Sequence, residues 1–126
     1  MPLRPTGEQI KELVGSDLDG PVVMLNLLKF AERATSDAGT GSDAGTGEQS
    51  YRRYGDEVRD HLERVGAKVL WRGRVDSVVI GEEADRWDAV ILVEYPSRKK
   101  FIEMTSTDSY GETSKHRTSA LVDSRL

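Results

Sequence analysis

The sequence predicts an α+β fold, a ferredoxin-like β-α-β-β-α-β layout preceded by an extra helix, in a single domain of residues 1–126. Two runs, residues 22–30 and 87–95, are apolar enough to be strands covered on both faces. A long helical pattern follows the first run and shorter ones follow the second. With right-handed crossovers, the two apolar strands lie side by side at the centre of the sheet.

The N-terminal helix is predicted by its capping residues. Thr6 and Gln9 have the spacing of a capping box, and Gly15 is a typical C-terminal stop. The strand over residues 22–30 follows, and its alternation places Met24, Asn26 and Leu28 on one face. A buried amide must be hydrogen-bonded. Asn26 is therefore either a group that orients a ligand or an amide satisfied by neighbouring backbone.

Residues 36–47 are a direct tandem repeat of Ser-Asp-Ala-Gly-Thr-Gly. The repeat has no large apolar residue, and we interpret it as a surface loop. Residues 39–44 formally match the dinucleotide-binding fingerprint. We interpret the match as accidental, because that fingerprint requires a tight turn within a β-α-β unit.

An amphipathic helix is predicted from about residue 48 to residue 65, ending at Gly66, with apolar residues at helical spacing: Tyr51, Tyr54, Val58, Leu62 and Val65. A strand over residues 68–75 follows, and we expect residues 78–80 to continue it through a bend or bulge. This strand and the one at residues 87–95 then form a long hairpin.

Ser97 is predicted to cap a short helix, because Pro96 ends the preceding strand. Asp108 is expected to cap a last helical turn that reaches about residues 116–117, and residues 121–126 form the final strand. Both main helices then cover one face of the sheet. Because the central strands are apolar on both faces, we expect a second copy of the chain to cover the other face.

Several motifs resemble the domain-of-unknown-function 1330 family: residues 21–30, Trp71-Arg72-Gly73, Trp87-Asp88, Tyr95-Pro96-Ser97, residues 101–104, Tyr110 and His116-Arg117. The resemblance runs from Pro21 to Leu126 and implies a dimeric α+β barrel whose two sheets face each other. The tandem repeat departs from the family pattern. The wider superfamily resembles cofactor-free monooxygenases, haem-degrading enzymes, muconolactone isomerases and stress-responsive barrels, so the resemblance supports the fold more than a reaction.

The candidate catalytic residues are His116 and Asp88. The pKa of an unperturbed histidine suits proton transfer, although His116 is also placed to stabilise the carbonyls of a helix end. Asp88 is a candidate base or orienting group, or a cap of the hairpin turn. The histidines lack matched carboxylate spacing, and we expect no metal. Haem degradation is a less favoured activity, because no histidine lies clearly in a pocket-lining helix where it could bind the iron.

The candidate substrate-binding residues are Asn26, Arg117, Arg74, Trp71, Tyr54 and Tyr110. Paired N–H donors of arginine suit a carboxylate, and aromatic rings line apolar pockets. The alternatives are surface ion pairs for the arginines and core or interface packing for the aromatic residues.

We therefore predict a homodimer that binds a small organic molecule in a cavity of each protomer, without a cofactor. The alternatives are a cofactor-free monooxygenase or isomerase acting by proton transfer, and a non-catalytic structural dimer. A net charge of −4 argues against nucleic-acid binding. The lack of cysteine and of any apolar run of about 20 residues predicts a cytoplasmic protein without a membrane segment.

Overall fold

The computed structural model describes residues 2–35 and 45–126 of the chain. Its elements are, in order, α1 (Gly7–Val14), β1 (Val22–Phe30), α2 (Gly47–Val65), β2 (Lys68–Arg74), a 3₁₀ turn (Glu83–Asp85), β3 (Ala89–Tyr95), α3 (Arg98–Thr105), α4 (Asp108–Ala120) and β4 (Leu121–Arg125).

The four strands form one antiparallel sheet in the order β2-β3-β1-β4. The predicted α+β fold is confirmed, and so is the central position of β1 and β3. This order agrees with the ferredoxin-like layout, in which each β-α-β crossover passes over one other strand.

The helices cover the face of the sheet that carries Met24 and Leu28. Leu28 packs with Ala120 and Leu121 in one core cluster and is fully buried. Met24 packs against a second cluster, which contains Val65, Val93, Tyr95 and Met104. The core of the protomer therefore lies between this face and the helices α2, α3 and α4.

The opposite face of the sheet has no helix over it within the described residues. Leu25 is 48% exposed and Trp71 is 55% exposed, and Val23 is also exposed. These side chains share one face because Leu25 and Trp71 both stand opposite Leu92 in the strand register. The sheet thus has a covered face and an open, largely apolar face.

The predicted continuation of β2 through residues 78–80 is wrong. β2 ends at Arg74, and the Val75 N–H donates to the Asp88 carbonyl at 3.0 Å, which closes the hairpin. The chain beyond it forms a loop, because Gly81 has a φ of +149° and a 3₁₀ turn follows at once. A register shift does occur, but within β2, between Val69 and Trp71.

The last helix is longer than predicted and begins with a different cap. The hydroxyl of Thr107, not Asp108, accepts a hydrogen bond from the Tyr110 N–H at 3.1 Å. The helix then runs through Ala120 and does not stop near His116. The reason is that Thr113 and Ala120 are buried at helical spacing from Tyr110, so the whole segment packs on the core.

The end of the tandem repeat is not a loop. Most of the repeat, residues 36–44 with the formal dinucleotide match, lies outside the described residues. Thr46, however, caps α2, and Gly47 is the buried first residue of that helix. A Cβ atom on Gly47 would lie 2.1 Å from the Ala31 carbonyl oxygen and 2.5 Å from that of Ala120. Only glycine fits this junction without backbone movement.

Candidate functional site

A series of aromatic side chains lies between the covered face of the sheet and the helices. Tyr51 has its ring centroid 5.7 Å from that of Phe30 and 5.3 Å from that of Tyr54. Tyr110, on α4, lies 6.5 Å from Tyr54 and 5.8 Å from His61. These five rings join the end of β1 to the middle of α2 and the start of α4.

Two of the tyrosine hydroxyls in this layer are in direct contact. The hydroxyls of Tyr54 and Tyr110 are hydrogen-bonded at 2.9 Å. Burial raises the pKa of Tyr51 to about 12 and holds the pKa of Tyr54 well above its usual value. Both phenols are therefore neutral near pH 7 and can donate a hydrogen bond to a negatively charged group.

Arg117 stands beside these phenols on the inward face of α4. It shares that face with Tyr110, Thr113 and Ala120, which are spaced 3, 4 and 3 residues apart. Its guanidinium donates to the Leu3 carbonyl at 3.4 Å, and its positive charge partly opposes the rise in the pKa of the Tyr51 phenol. Arg117 has no ion pair with a carboxylate of residues 2–35 or 45–126.

Asn26 faces the helices and lies between the two core clusters. Its Nδ2 donates to the carbonyls of Met24 and Ile91, each at 3.4 Å. Met24, Leu28 and Ile91 pack against the same core, so the amide is on the covered face and not on the open one. The two hydrogen bonds are long and leave the amide weakly held.

Two features of this layer were not singled out as site residues by the sequence. Tyr51 belongs to the predicted apolar stripe of α2, where helical spacing predicts packing, and His61 lies one residue before Leu62, outside that stripe. His61 is buried, and its Nε2 lies 3.2 Å from the Thr113 hydroxyl. The recurrence of tyrosine at positions 51 and 54 of one helix face is the signal that points to a phenol-rich layer.

The two candidate catalytic residues lie apart from this layer. His116 is partly exposed, and its Nε2 lies 3.3 Å from a carboxylate oxygen of Glu57. Asp88 accepts a hydrogen bond from the Phe30 N–H at 2.8 Å and so holds the end of β1 against the start of β3. Within the described residues, no hydrogen bond or ion pair joins His116 to Asp88.

Arg74 and Trp71, both on β2, also lie outside the tyrosine layer. The guanidinium of Arg74 is bound by the carboxylate of Glu48 at the start of α2. Trp71 lies on the open face of the sheet, stacked over Gly73, where a Cβ atom would meet its ring at 2.7 Å. The structure therefore brings together Tyr54, Tyr110 and Arg117, with Asn26 on the same covered face.

Two surface recesses border the helices without reaching Arg117. One of about 350 Å³ lies between α1 and the start of α3 and is lined by Gln9, Glu12, Leu13, Ser16 and Arg98. A smaller one of about 100 Å³ lies beside His61 and is lined also by Arg64, Val65, Glu103, Met104 and Thr107. Across residues 2–35 and 45–126, no group of three or more His, Asp or Glu side chains is placed to hold a metal ion.

The fold defines the class of small α+β proteins with a four-stranded antiparallel sheet and helices on one face. The chain belongs to the family described as Domain of unknown function (DUF1330), whose profile matches residues 44–125. The first motif of the resemblance, residues 21–30, lies outside that match.

Two crystal structures are similar to this chain over nearly its whole length. One, of a protein of unknown function from Rhodopseudomonas palustris, has 38% sequence identity and a TM-score of 0.87, covering 98% of this chain and 92% of that one. The other, of the same protein in methylated form, also has 38% identity, with a TM-score of 0.90 and coverage of 98% and 90%. No curated protein matches significantly. Within the described part of the chain, none of the helices has the length and apolar character needed to cross a membrane.

Proposed function

We propose that this protein is a homodimer that binds a small organic anion between the sheet and the helices of each protomer. The observation that supports it most directly is Arg117, a half-buried cation without a carboxylate partner among the described residues. Removing a charge from water without a counter-ion is costly. A bound anion would supply the missing charge.

The surroundings of Arg117 favour a carboxylate with a flat, apolar body. The protonated hydroxyls of Tyr51 and Tyr54 are donors for an anionic oxygen. The aromatic rings beside them offer an apolar wall, and a few convergent polar groups in an apolar site are typical of ligand pockets. The long bond from Arg117 to Leu3 is the one that a carboxylate would replace, because a charged acceptor binds guanidinium more strongly than a carbonyl does.

Binding is better supported than turnover. A proton-transfer mechanism, whether of a cofactor-free monooxygenase or of an isomerase, needs an acid or base within reach of the ligand. His116 is instead paired with Glu57 at the surface, and Asp88 is bonded to the backbone of β1.

The homodimer is supported by the open face of the sheet. Leu25 and Trp71 are about half exposed there, and a contiguous apolar face of this kind is typical of an interface. Light scattering after size exclusion measures the oligomeric state. A stable monomer at micromolar concentration would contradict this part of the proposal.

The ligand is tested by thermal unfolding with benzoate, and with benzamide as its neutral counterpart. We expect benzoate to raise the melting temperature of the wild type and benzamide to have little effect, because only the carboxylate pairs with Arg117. Arg117→Gln should abolish the benzoate shift. The matched control is Arg59→Gln, since Arg59 is an exposed arginine paired with Asp56. Equal shifts in the wild type and in Arg117→Gln would overturn the assignment of the site.

A second function, a structural dimer without a ligand, is supported by the packing of the tyrosine layer. The Tyr54 and Tyr110 hydroxyls already bond to each other, and their rings pack edge to face. On this reading Arg117 holds the N-terminal segment through Leu3. A dimer whose melting temperature responds to neither benzoate nor benzamide would favour this second function.

A further inference from the structure

The loop between β2 and β3, residues 75–86, forms an arm. It presents two adjacent aliphatic side chains almost fully to solvent: Val79 is 91% exposed and Ile80 is 93% exposed. Single exposed apolar residues are ordinary on protein surfaces, but two large neighbours at the tip of one loop indicate a contact surface.

The arm is held in shape by its own hydrogen bonds. At its base, the Val75 N–H donates to the Asp88 carbonyl at 3.0 Å. Near its tip, the Glu82 N–H donates to the Asp85 carboxylate, and the Asp85 N–H donates to the Glu82 carbonyl, both at 2.9 Å. Val79 and Ile80 are therefore presented on a folded loop, which lowers the entropy that a partner must remove on binding.

The open face of the sheet is limited in extent. Four strands spaced about 4.8 Å apart and about 23 Å long have a flat outline of roughly 440 Å², and the side chains standing on it present a larger accessible area. A specific protein–protein interface buries about 800 Å² of accessible surface on each partner. The arm is an exposed apolar element that begins at the end of β2, and its contact would add to the area that this face buries in a homodimer.

The charges of the arm and of the sheet face are complementary. The arm carries four carboxylates, Asp76, Glu82, Glu83 and Asp85, against the single cation Arg86. No ion pair within the described protomer involves any of the four.

A basic cluster lies on the sheet near the base of the arm. Lys29 Nζ is 5.4 Å from the ring centroid of Trp87, and the guanidinium carbon of Arg125 is 5.2 Å from it. Arg125 is paired with Asp123, but Lys29 has no carboxylate partner among residues 2–35 and 45–126. Lys29 therefore keeps a positive charge outside ion-pair distance of any described carboxylate, and this charge can attract the acidic arm of another molecule.

We infer that the arm of each protomer docks on the sheet face of a second copy, with Val79 and Ile80 as apolar anchors. The acidic turn then faces the basic cluster of that second copy, and two-fold symmetry makes the contact twice. This inference rests on the proposed homodimer and adds the segment that completes its interface.

The experiment is sedimentation equilibrium over a dilution series of the whole chain. Val79→Ser combined with Ile80→Ser should raise the dimer Kd by tenfold or more, because two anchors lose their apolar contact. The matched control combines Val14→Ser with Leu18→Ser, two exposed aliphatic residues near α1, and should leave the Kd unchanged. Because the dimer contact includes opposite charges, raising the salt concentration should weaken the wild-type dimer.

Leu25→Lys separates the failure of this inference from that of the homodimer. One outcome would overturn the inference and leave the homodimer standing. In it, the wild type is a dimer, Leu25→Lys dissociates that dimer, and the arm variant has the same Kd as the wild type. An equal change in the arm variant and in the α1 control would also overturn it. A monomeric wild type would overturn both.

Discussion

The tetrapeptide Thr-Gly-Glu-Gln occurs twice in this chain, at residues 6–9 and 46–49, and it begins a helix both times. The two capping boxes are nearly identical. The Thr6 hydroxyl accepts the Gln9 N–H at 3.2 Å, and the Thr46 hydroxyl accepts the Gln49 N–H at 3.1 Å. In each box the glutamine side chain accepts the threonine N–H in return.

The surroundings of the two boxes differ completely. No residue of α1 is buried, whereas α2 begins with the buried Gly47. The Gly47 N–H donates to the Ala31 carbonyl at 3.0 Å, and the Ala31 N–H donates to the Ala120 carbonyl at 2.7 Å. The second box therefore joins the end of β1, the start of α2 and the end of α4. Local sequence determines where a helix begins, and tertiary contacts determine how much that beginning contributes to stability.

The largest difference in the free energy of unfolding is expected between Gly47→Ala and Gly7→Ala. A Cβ atom on Gly47 would lie 2.1 Å from a backbone oxygen, whereas a Cβ atom on Gly7 would have no other atom within 4 Å. Overpacking of this kind typically costs about 1–3 kcal/mol, and backbone neighbours place Gly47→Ala at or above about 3 kcal/mol. Gly7→Ala should change the free energy of unfolding by less than about 1 kcal/mol. Urea denaturation at one fixed protein concentration measures both.

Gly55→Ala is the control within α2 itself. Its Cβ atom would meet nothing within 4 Å, so the variant should gain about 0.5–1 kcal/mol from helix propensity. If Gly47→Ala proved as harmless as Gly55→Ala, the close junction around Ala31 would be wrong.

The same comparison shows what the sequence could predict of the fold. The box at Thr6 was predicted because no loop-like sequence pattern overlaps it. The box at Thr46 was missed because the tandem repeat includes Thr46 and Gly47, and a stretch without large apolar residues indicates a loop. The contact that buries Gly47 comes from Ala31 and Ala120, which are distant in sequence, so no local pattern reveals it.

For the candidate site, the sequence predicted which residue types are involved better than which side chains point into the protein. Tyr54 and Tyr110 were proposed from their residue type and predicted core positions, and they do contact each other. His116 and Arg117 are neighbours, and only the full length of α4 determines which of them points inward. Because the helix runs through Ala120, its inward spacing selects Arg117 and leaves His116 beside Glu57. Periodicity cannot choose between adjacent residues when the end of the helix is misplaced.

A smaller difference in the free energy of unfolding is expected between Thr46→Ala and Thr6→Ala. Loss of a threonine cap typically costs about 1 kcal/mol, and Thr46→Ala should show that full cost because α2 packs on the core. Thr6→Ala should cost less than about 0.5 kcal/mol, since α1 buries no residue and can open without global unfolding. Urea denaturation gives both values, and amide hydrogen exchange in α1 reports the local opening directly. Equal losses in the two variants would mean that α1 unfolds together with the core.

The smallest difference in the free energy of unfolding is expected between Glu48→Gln and Glu8→Gln. Glu48 and Glu8 are the third residues of the two tetrapeptides. Glu48 binds the guanidinium of Arg74 on β2 and lies 4.0 Å from that of Arg52, whereas Glu8 has no ion pair within the described residues. Arg74 and Arg52 are more than two-thirds exposed, so solvent screens these pairs strongly and the loss in Glu48→Gln should be about 0.5 kcal/mol. The loss should shrink at high salt, because a pair of exposed charges is screened over about 3 Å at 1 M. Glu8→Gln should show neither the loss nor the salt dependence, although both variants remove a charge from the first turn of a helix. Urea denaturation at low and high salt tests this, and a salt-independent loss in Glu48→Gln would show that the ion pair with Arg74 contributes nothing to the second box.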